Sequence, residues 1–158
     1  MQDKGFTLVE IMIVVIIIAI IVAFSYPSYL NSVRKGNRKE AVITLTQMAA
    51  LQEKFFLDRK SYAASITNSF TLTDCSSGSP GLGMSTTSEH GYYTLTMSVS
   101  PTPMFSGDPC AVSNNATSFT ATATATSKGK QDEDKEQGVA CNVLTLSSTG
   151  VKTPTLCW

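Results

Sequence analysis

The stretch KGFTLVEIMIVVIIIAIIVAF, from Lys4 to Phe24, decides the fold of this chain of 158 residues. Residues 11–24 are unbroken apolar residues, mostly isoleucine and valine, and Phe6 to Tyr26 is close to the ~20 residues that cross the hydrocarbon core of a bilayer. A segment in lipid must satisfy its backbone hydrogen bonds internally, so we predict a helix despite the β-branched residues. Glu10 is the carboxylate inside this apolar span.

A second apolar pattern follows Pro27 and predicts an amphipathic helix. Apolar residues recur at steps of three and four, apart from a gap at Asn37: Leu30, Val33, Ala41, Leu45, Met48, Leu51 and Phe55. Pro27 and Gly36 are its weak points, because proline removes a helical hydrogen bond and glycine costs backbone entropy. From Phe6 to about Asp58 the two parts are expected to form one helix of roughly 80 Å, at 1.5 Å per residue.

Three runs of alternating residues follow a long polar loop from Ser61 to His90 and predict strands. Their apolar members are Tyr93, Leu95, Met97 and Val99; Phe119, Ala121, Ala123 and Ala125; and Leu144 and Leu146. The small residues of the middle run indicate that the large residues of the amphipathic helix pack against it. We therefore predict an α+β fold in which a long N-terminal helix packs on an antiparallel sheet of three or four strands.

The charged and polar residues exclude several classes of function. Twelve basic and twelve acidic residues give no net charge, so the charge balance does not indicate a nucleic-acid partner. There is one histidine, no nucleophile-and-base motif, no glycine-rich phosphate loop and no metal-ligand spacing, so we expect no enzyme, no cofactor and no metal. The segment KGKQDEDKEQG, Lys128 to Gly138, lacks the spacing of a calcium loop and predicts a solvated hairpin tip.

Four cysteines lie in the polar part of the chain: Cys75, Cys110, Cys141 and Cys157. Their wide, irregular spacing does not fit a zinc site, and small exported domains are commonly stabilised by disulfides. We predict disulfides in an oxidising compartment, with three connectivities open.

Three interpretations of the N-terminus compete. AFS at Ala23 to Ser25 would suit cleavage of a secretory signal. A plain membrane anchor is the second interpretation, and the basic RKGNRK at Arg34 to Lys39 would then favour a cytoplasmic domain. The cysteines favour the opposite side, and we interpret the basic residues as the solvated face of the amphipathic helix. Neither interpretation explains Glu10.

The third interpretation rests on a resemblance. Lys4 to Glu10, KGFTLVE, resembles the signature of type IV prepilins and related pseudopilins. The resemblance implies that a dedicated peptidase cuts after Gly5 and methylates Phe6, and that Glu10 meets the new amine of a neighbouring subunit. A carboxylate in the bilayer interior costs a few kcal/mol, so a compensating charge at the same depth would favour the correct axial register.

The C-terminal stretch ACNVLTLSSTGVKTPTLCW, Ala140 to Trp158, resembles the tail of type IVa pilins, in which two cysteines bracket a surface loop. That resemblance implies a Cys141–Cys157 pair and a Cys75–Cys110 pair, and the αβ-roll of the pilins as the fold. The implied organisation is a leader at residues 1–5, a membrane-spanning and filament-core helix at 6–26, its amphipathic continuation at 27–60 and a globular head at 61–158.

The resemblance implies a structural subunit of a type IV pilus, either principal or minor, in a helical polymer with other pilins. Its partners would be the prepilin peptidase, the inner membrane and the assembly machinery. The head would lie in the bacterial periplasm before assembly and outside the cell afterwards. Twitching, adhesion and DNA uptake are roles that the sequence does not separate.

Two alternatives remain for the function. A minor pilin that receives DNA during natural transformation would need a basic stripe, but Arg34, Lys35, Arg38 and Lys39 adjoin the apolar span and Lys128, Lys130, Lys135 and Lys152 are interspersed with acids. We therefore favour DNA binding less. A pseudopilin of a type II secretion system shares the N-terminal motif.

Overall fold

The computed structural model describes residues 5–67, 81–105, 112–113 and 115–158. Helix α1 spans Leu8–Arg59, so one helix continues through Pro27 and Gly36 as predicted. It ends at Arg59, and the next residue, Lys60, adopts a positive φ of 58°. By backbone contacts the chain divides into two units, Met1–Val33 and Arg34–Trp158, which we call the stem and the head.

The described part of the stem is apolar and uncovered within one chain. Its large apolar side chains from Phe6 to Tyr29 are about half exposed or more, and Phe6 and Phe24 reach 79% and 78%. Its helix is long and apolar enough to cross a membrane, by length and composition. The stem therefore carries a large apolar surface that the described residues do not bury.

The head contains the sheets. The strands are β1 (Tyr93–Ser100), β2 (Met104–Phe105), β3 (Val112–Ser113), β4 (Ser118–Ala125), β5 (Lys135–Glu136), β6 (Val139–Ala140), β7 (Val143–Ser147) and β8 (Lys152–Thr153). The main sheet has the antiparallel order β1-β4-β7-β8, and β2-β3 and β5-β6 form separate pairs. The three predicted strands are confirmed, and β8 is the fourth.

The core of the head forms where α1 packs on the central strand. Ala121 of β4 pairs with Met97 of β1 and with Leu146 of β7. Ala121 and Ala123 are fully buried in one cluster with four residues of the helix, Ala41, Leu45, Met48 and Phe55. Small side chains on β4 leave room for these larger ones, as the sequence predicts, because interiors are close-packed. The observed fold is α+β, with a long helix packed on a four-stranded antiparallel sheet.

Two polar residues share the buried face of α1. Arg38 and Gln52 are both buried, and with the apolar core residues they complete a regular spacing of three and four: 38, 41, 45, 48, 52 and 55. The side chain of Gln52 donates to the carbonyl of Ala63 at 2.8 Å and accepts from its amide at 2.9 Å. Arg38 is therefore not on a solvated face, and the apparent gap at Asn37 is the place where an arginine enters the buried stripe.

Candidate functional site

The residues expected to be processed, Gly5 and Phe6, lie just before α1, and the residue expected to direct assembly, Glu10, lies in its first turn. All three are exposed. Thr7 caps the helix: its Oγ1 accepts the amide hydrogen of Glu10 at 3.3 Å and its carbonyl accepts that of Ile11 at 3.3 Å. An acidic residue in the first turn also suits the positive end of the helix dipole. Among the described residues, Glu10 forms no ion pair.

A charged cluster joins the helix to the segment between β4 and β7, which we call the connector (residues 128–140). The Arg38 guanidinium donates to both carboxylate oxygens of Asp134, at 2.7 and 2.8 Å. Their side chains are 8% and 2% exposed. Arg34 bonds Glu133 at 2.6 Å, and Lys35 and Arg38 bond Glu136 at 2.8 and 3.3 Å. We call these six residues the charged clasp.

A buried amide extends the clasp into the sheet. Gln131 is fully buried, and its Nε2 donates to the hydroxyl of Tyr93 at 2.9 Å, to the carbonyl of Arg34 at 3.1 Å and to Asp134 at 3.2 Å. Burial of Tyr93 raises its pKa to about 12, against the opposing effect of the Gln131 hydrogen bond. The Asp134 hydrogen bond raises the pKa of Arg38 despite its burial, so the guanidinium stays charged.

The structure corrects one prediction about the connector. Its hairpin exists as β5 and β6, and the turn residues Gln137 and Gly138 have positive φ. It is not wholly solvated, however, since Gln131 and Asp134 are buried. The charge composition of the connector does not indicate this burial, because the arginines that pair with Glu133 and Asp134 lie about a hundred residues away in the chain.

A second polar contact fixes the loop before β1 to the helix. Glu40 accepts the backbone amide of His90 at 2.8 Å, and its other oxygen lies 3.2 Å from His90 Nδ1. Burial favours the neutral form of Glu40, but its hydrogen bonds with the His90 backbone, Ser88 and the His90 ring outweigh burial, and its pKa is lowered. The pair borders an open groove of about 760 Å³, which Lys39, Ile43 and Tyr92 also line.

The C-terminal loop is closed by the Cys141–Cys157 disulfide, which confirms that expected pair. Both cysteines are buried, and Lys152 Nζ lies 4.9 Å from the centre of the Trp158 ring. The Trp158 indole donates to the carbonyl of Thr153 at 3.3 Å. Cys75 and Cys110 lie outside the described residues, so their pairing stays a prediction.

Two family descriptions match the chain. "Prokaryotic N-terminal methylation motif" matches residues 1–26. "Type IV minor pilin ComP, DNA uptake sequence receptor" matches residues 27–145, well over half of the chain. The chain belongs to this minor pilin family.

The curated relatives are type IV pilus or fimbrial proteins and a type II secretion system protein. The type IV major pilin protein PilA of Myxococcus xanthus is 34% identical over 62 residues, which cover 39% of this chain and 28% of that protein. The type IV major fimbrial protein FimA of Dichelobacter nodosus is 35% identical over 90 residues, 56% of each chain. The type II secretion system core protein G of Pectobacterium carotovorum is 28% identical over 61 residues, 39% of each. The chain thus spans no more than about half the length of these relatives.

A solved structure, the type IV pilin from Shewanella oneidensis, is similar at a TM-score of 0.43 and 17% identity, covering 79% of this chain and 97% of that one. A similarity this low supports no inference. Membership of the family rests on the two matches that together cover residues 1–145.

The lowered pKa of Glu40 predicts an acid-dependent loss of stability. A carboxyl group whose pKa is lower in the folded state stabilises the fold above its ordinary pKa of 4.5, and this contribution disappears as the pH falls through the lowered value. Glu40→Gln should therefore lower the free energy of unfolding of the full chain in detergent by at most about 1 kcal/mol at about pH 7, and by much less at about pH 3. The unfolding midpoint at each pH measures this loss.

Glu89→Gln is the matched control, because Glu89 is an exposed carboxylate of the same loop without an ion pair among the described residues. An equal effect of Glu40→Gln at both pH values would contradict the assignment.

Proposed function

We propose that the chain is a minor structural subunit of a type IV pilus and not an enzyme. A peptidase cuts it after Gly5 and methylates Phe6, the stem holds it in the inner membrane, and the assembly machinery then inserts it into the fibre. The observation that carries this proposal is the exposed apolar surface of the stem, whose residues 1–26 match the methylation motif.

The proposed assembly contact pairs Glu10 with the amine of Phe6 in a neighbouring subunit. Glu10 has no ion pair of its own among the described residues, and cleavage after Gly5 creates a positive amine four residues away in every chain. A charge in apolar surroundings is costly unless it is paired, and the pairing would reward one axial register. Head-to-tail contacts that do not close produce an open helical polymer, in which one stem surface serves first as anchor and then as interface.

The location follows from the same features. The proposed orientation places the head in the periplasm, an oxidising compartment in which the Cys141–Cys157 disulfide can form. After assembly the head would be extracellular. The organisation into a leader at 1–5, a filament-core helix at 6–26, its continuation at 27–60 and a head at 61–158 is part of this proposal.

A second candidate function, reception of DNA, is supported by the family match over residues 27–145, whose description names a DNA uptake sequence receptor. Apart from Lys4, every basic residue lies in the described part of the chain. The clasp neutralises Arg34, Lys35 and Arg38. Seven lysines of the head form no ion pair among the described residues: Lys39, Lys54, Lys60, Lys128, Lys130, Lys135 and Lys152.

Within that set, Lys128 and Lys130 are the most suitable phosphate contacts. They stand two residues apart on an exposed turn, and Lys128 Nζ lies 5.3 Å from the centre of the Tyr92 ring. An aromatic ring beside exposed amines suits a nucleic-acid backbone and its bases. Lys39 borders the same groove as Tyr92.

The subunit role predicts a specific effect of Glu10→Val. The variant should still enter the membrane, because valine is more apolar, but its incorporation into fibres should fall at least tenfold because the register contact is lost. Incorporation is measured as the ratio of the chain in sheared fibres to that in membranes. Met12→Val, at a neighbouring exposed stem position, is the matched control. Normal incorporation of Glu10→Val as the only copy would contradict the assembly contact.

The DNA role predicts salt-dependent binding by the full chain in detergent. The logarithm of the affinity for duplex DNA should fall linearly with the logarithm of salt, and each lysine that contacts a phosphate should contribute about 0.9 to the slope. Lys128→Gln with Lys130→Gln should therefore reduce the slope by about 2 if both lysines contact phosphates.

Lys54→Gln with Lys60→Gln removes the same charge elsewhere and should leave the slope nearly unchanged. Equal loss in the two double variants would reject the location near Lys128. Absence of binding by the unaltered chain at low salt would reject the DNA role and leave the subunit role intact.

A further inference from the structure

The first turns of the head's helix are attached differently from the rest. Between Arg34 and Glu40, ion pairs and hydrogen bonds attach the helix to the connector and to the loop before β1: the charged clasp, the Gln131 bond to the Arg34 carbonyl, and the Glu40–His90 pair. Apolar core residues begin at Ala41 and continue to Phe55. The boundary between charged and apolar attachment therefore lies between Glu40 and Ala41.

Several features make this charged segment less stable than the helix that follows. Gly36 lies in its middle. Apart from its chain neighbours and the nearby backbone of its own helix, no described atom lies within 4 Å of the place of a β-carbon, and an interior glycine weakens a helix relative to alanine. Glu133 and Lys35 are each about half exposed, so their ion pairs are screened by salt. Among the described residues, the buried atoms Arg34 Nε and Gln131 Oε1 have no hydrogen-bond partner.

The Arg38–Asp134 pair opposes this weakness. It is bidentate and buried, which is the strong geometry for an arginine and a carboxylate. If the pair separates, both charges must regain water, and removal of one partner leaves the other buried without compensation. The closed state of the segment is thus held mainly by one contact, with the exposed pairs in support.

We infer that residues 34–40 of α1 open and close as a local unit, held shut by the connector, while the apolar core from Ala41 to Phe55 stays folded. Proteins open locally in cooperative units, and segments with few apolar contacts are the least stable of them. The connector is therefore a conformational latch on the helix. This inference does not depend on either proposed function.

Amide hydrogen exchange of the full chain in detergent micelles tests the latch. In the unaltered chain, the amides of residues 36–40 should exchange at least tenfold faster than those of residues 48–55, after correction for intrinsic rates. Asp134→Asn should accelerate residues 36–40 by a further tenfold or more and leave residues 48–55 unchanged. Asp132→Asn is the matched control, because Asp132 is an exposed acid of the same connector that forms no ion pair among the described residues.

A second variant covers the case in which Asp134→Asn fails to fold. Glu133→Gln with Glu136→Gln removes only the exposed partners and should accelerate residues 36–40 a few-fold. Raising the ionic strength from about 0.05 M to about 0.5 M should have the same selective effect. Two results would overturn the inference, because each would mean that the segment opens only with the core. In the first, residues 36–40 of the unaltered chain exchange as slowly as residues 48–55. In the second, the variants accelerate exchange equally in residues 36–40 and residues 48–55.

Discussion

One helix in this chain must serve two surroundings, and the rest of the structure depends on that constraint. The isoleucine and valine side chains of the stem are about half exposed in the described part of the chain, and a membrane or other molecules would bury this surface. The same helix then presents a buried stripe to the sheet of the head. In the proposed role, the stem half of this element serves as a membrane anchor and later as a polymer interface, while the other half packs on the head.

The head depends on how that stripe meets the central strand. The large side chains of Leu45 and Met48 fit because Ala121 and Ala123 leave space, and the alternation of β4 places its threonines on the opposite face. These features were predictable, because apolar periodicity reports burial directly. The burial of Arg38 and Gln52 was not predictable in this way, since apolar periodicity does not mark polar residues that are buried with their partners.

Long-range polar contacts explain most of what sequence reasoning missed. Arg38 meets Asp134 and Glu40 meets His90 across 96 and 50 residues, and neither partner is marked by its neighbours in sequence. The local motif around Gly5, Phe6 and Glu10 could be identified from the sequence, since the peptidase is expected to act on a contiguous segment. The Cys141–Cys157 pair was predictable only through resemblance, because four cysteines alone leave three connectivities.

The intact mass of the chain recovered from membranes and from sheared fibres, before and after reduction, tests the central claim most directly. The account predicts a product that begins at Phe6, carries one added methyl group and gains four hydrogens on reduction, as two disulfides require. A product that begins at Tyr26, or an uncut chain with free thiols, would contradict it, because the stem would then be a discarded signal or a plain anchor.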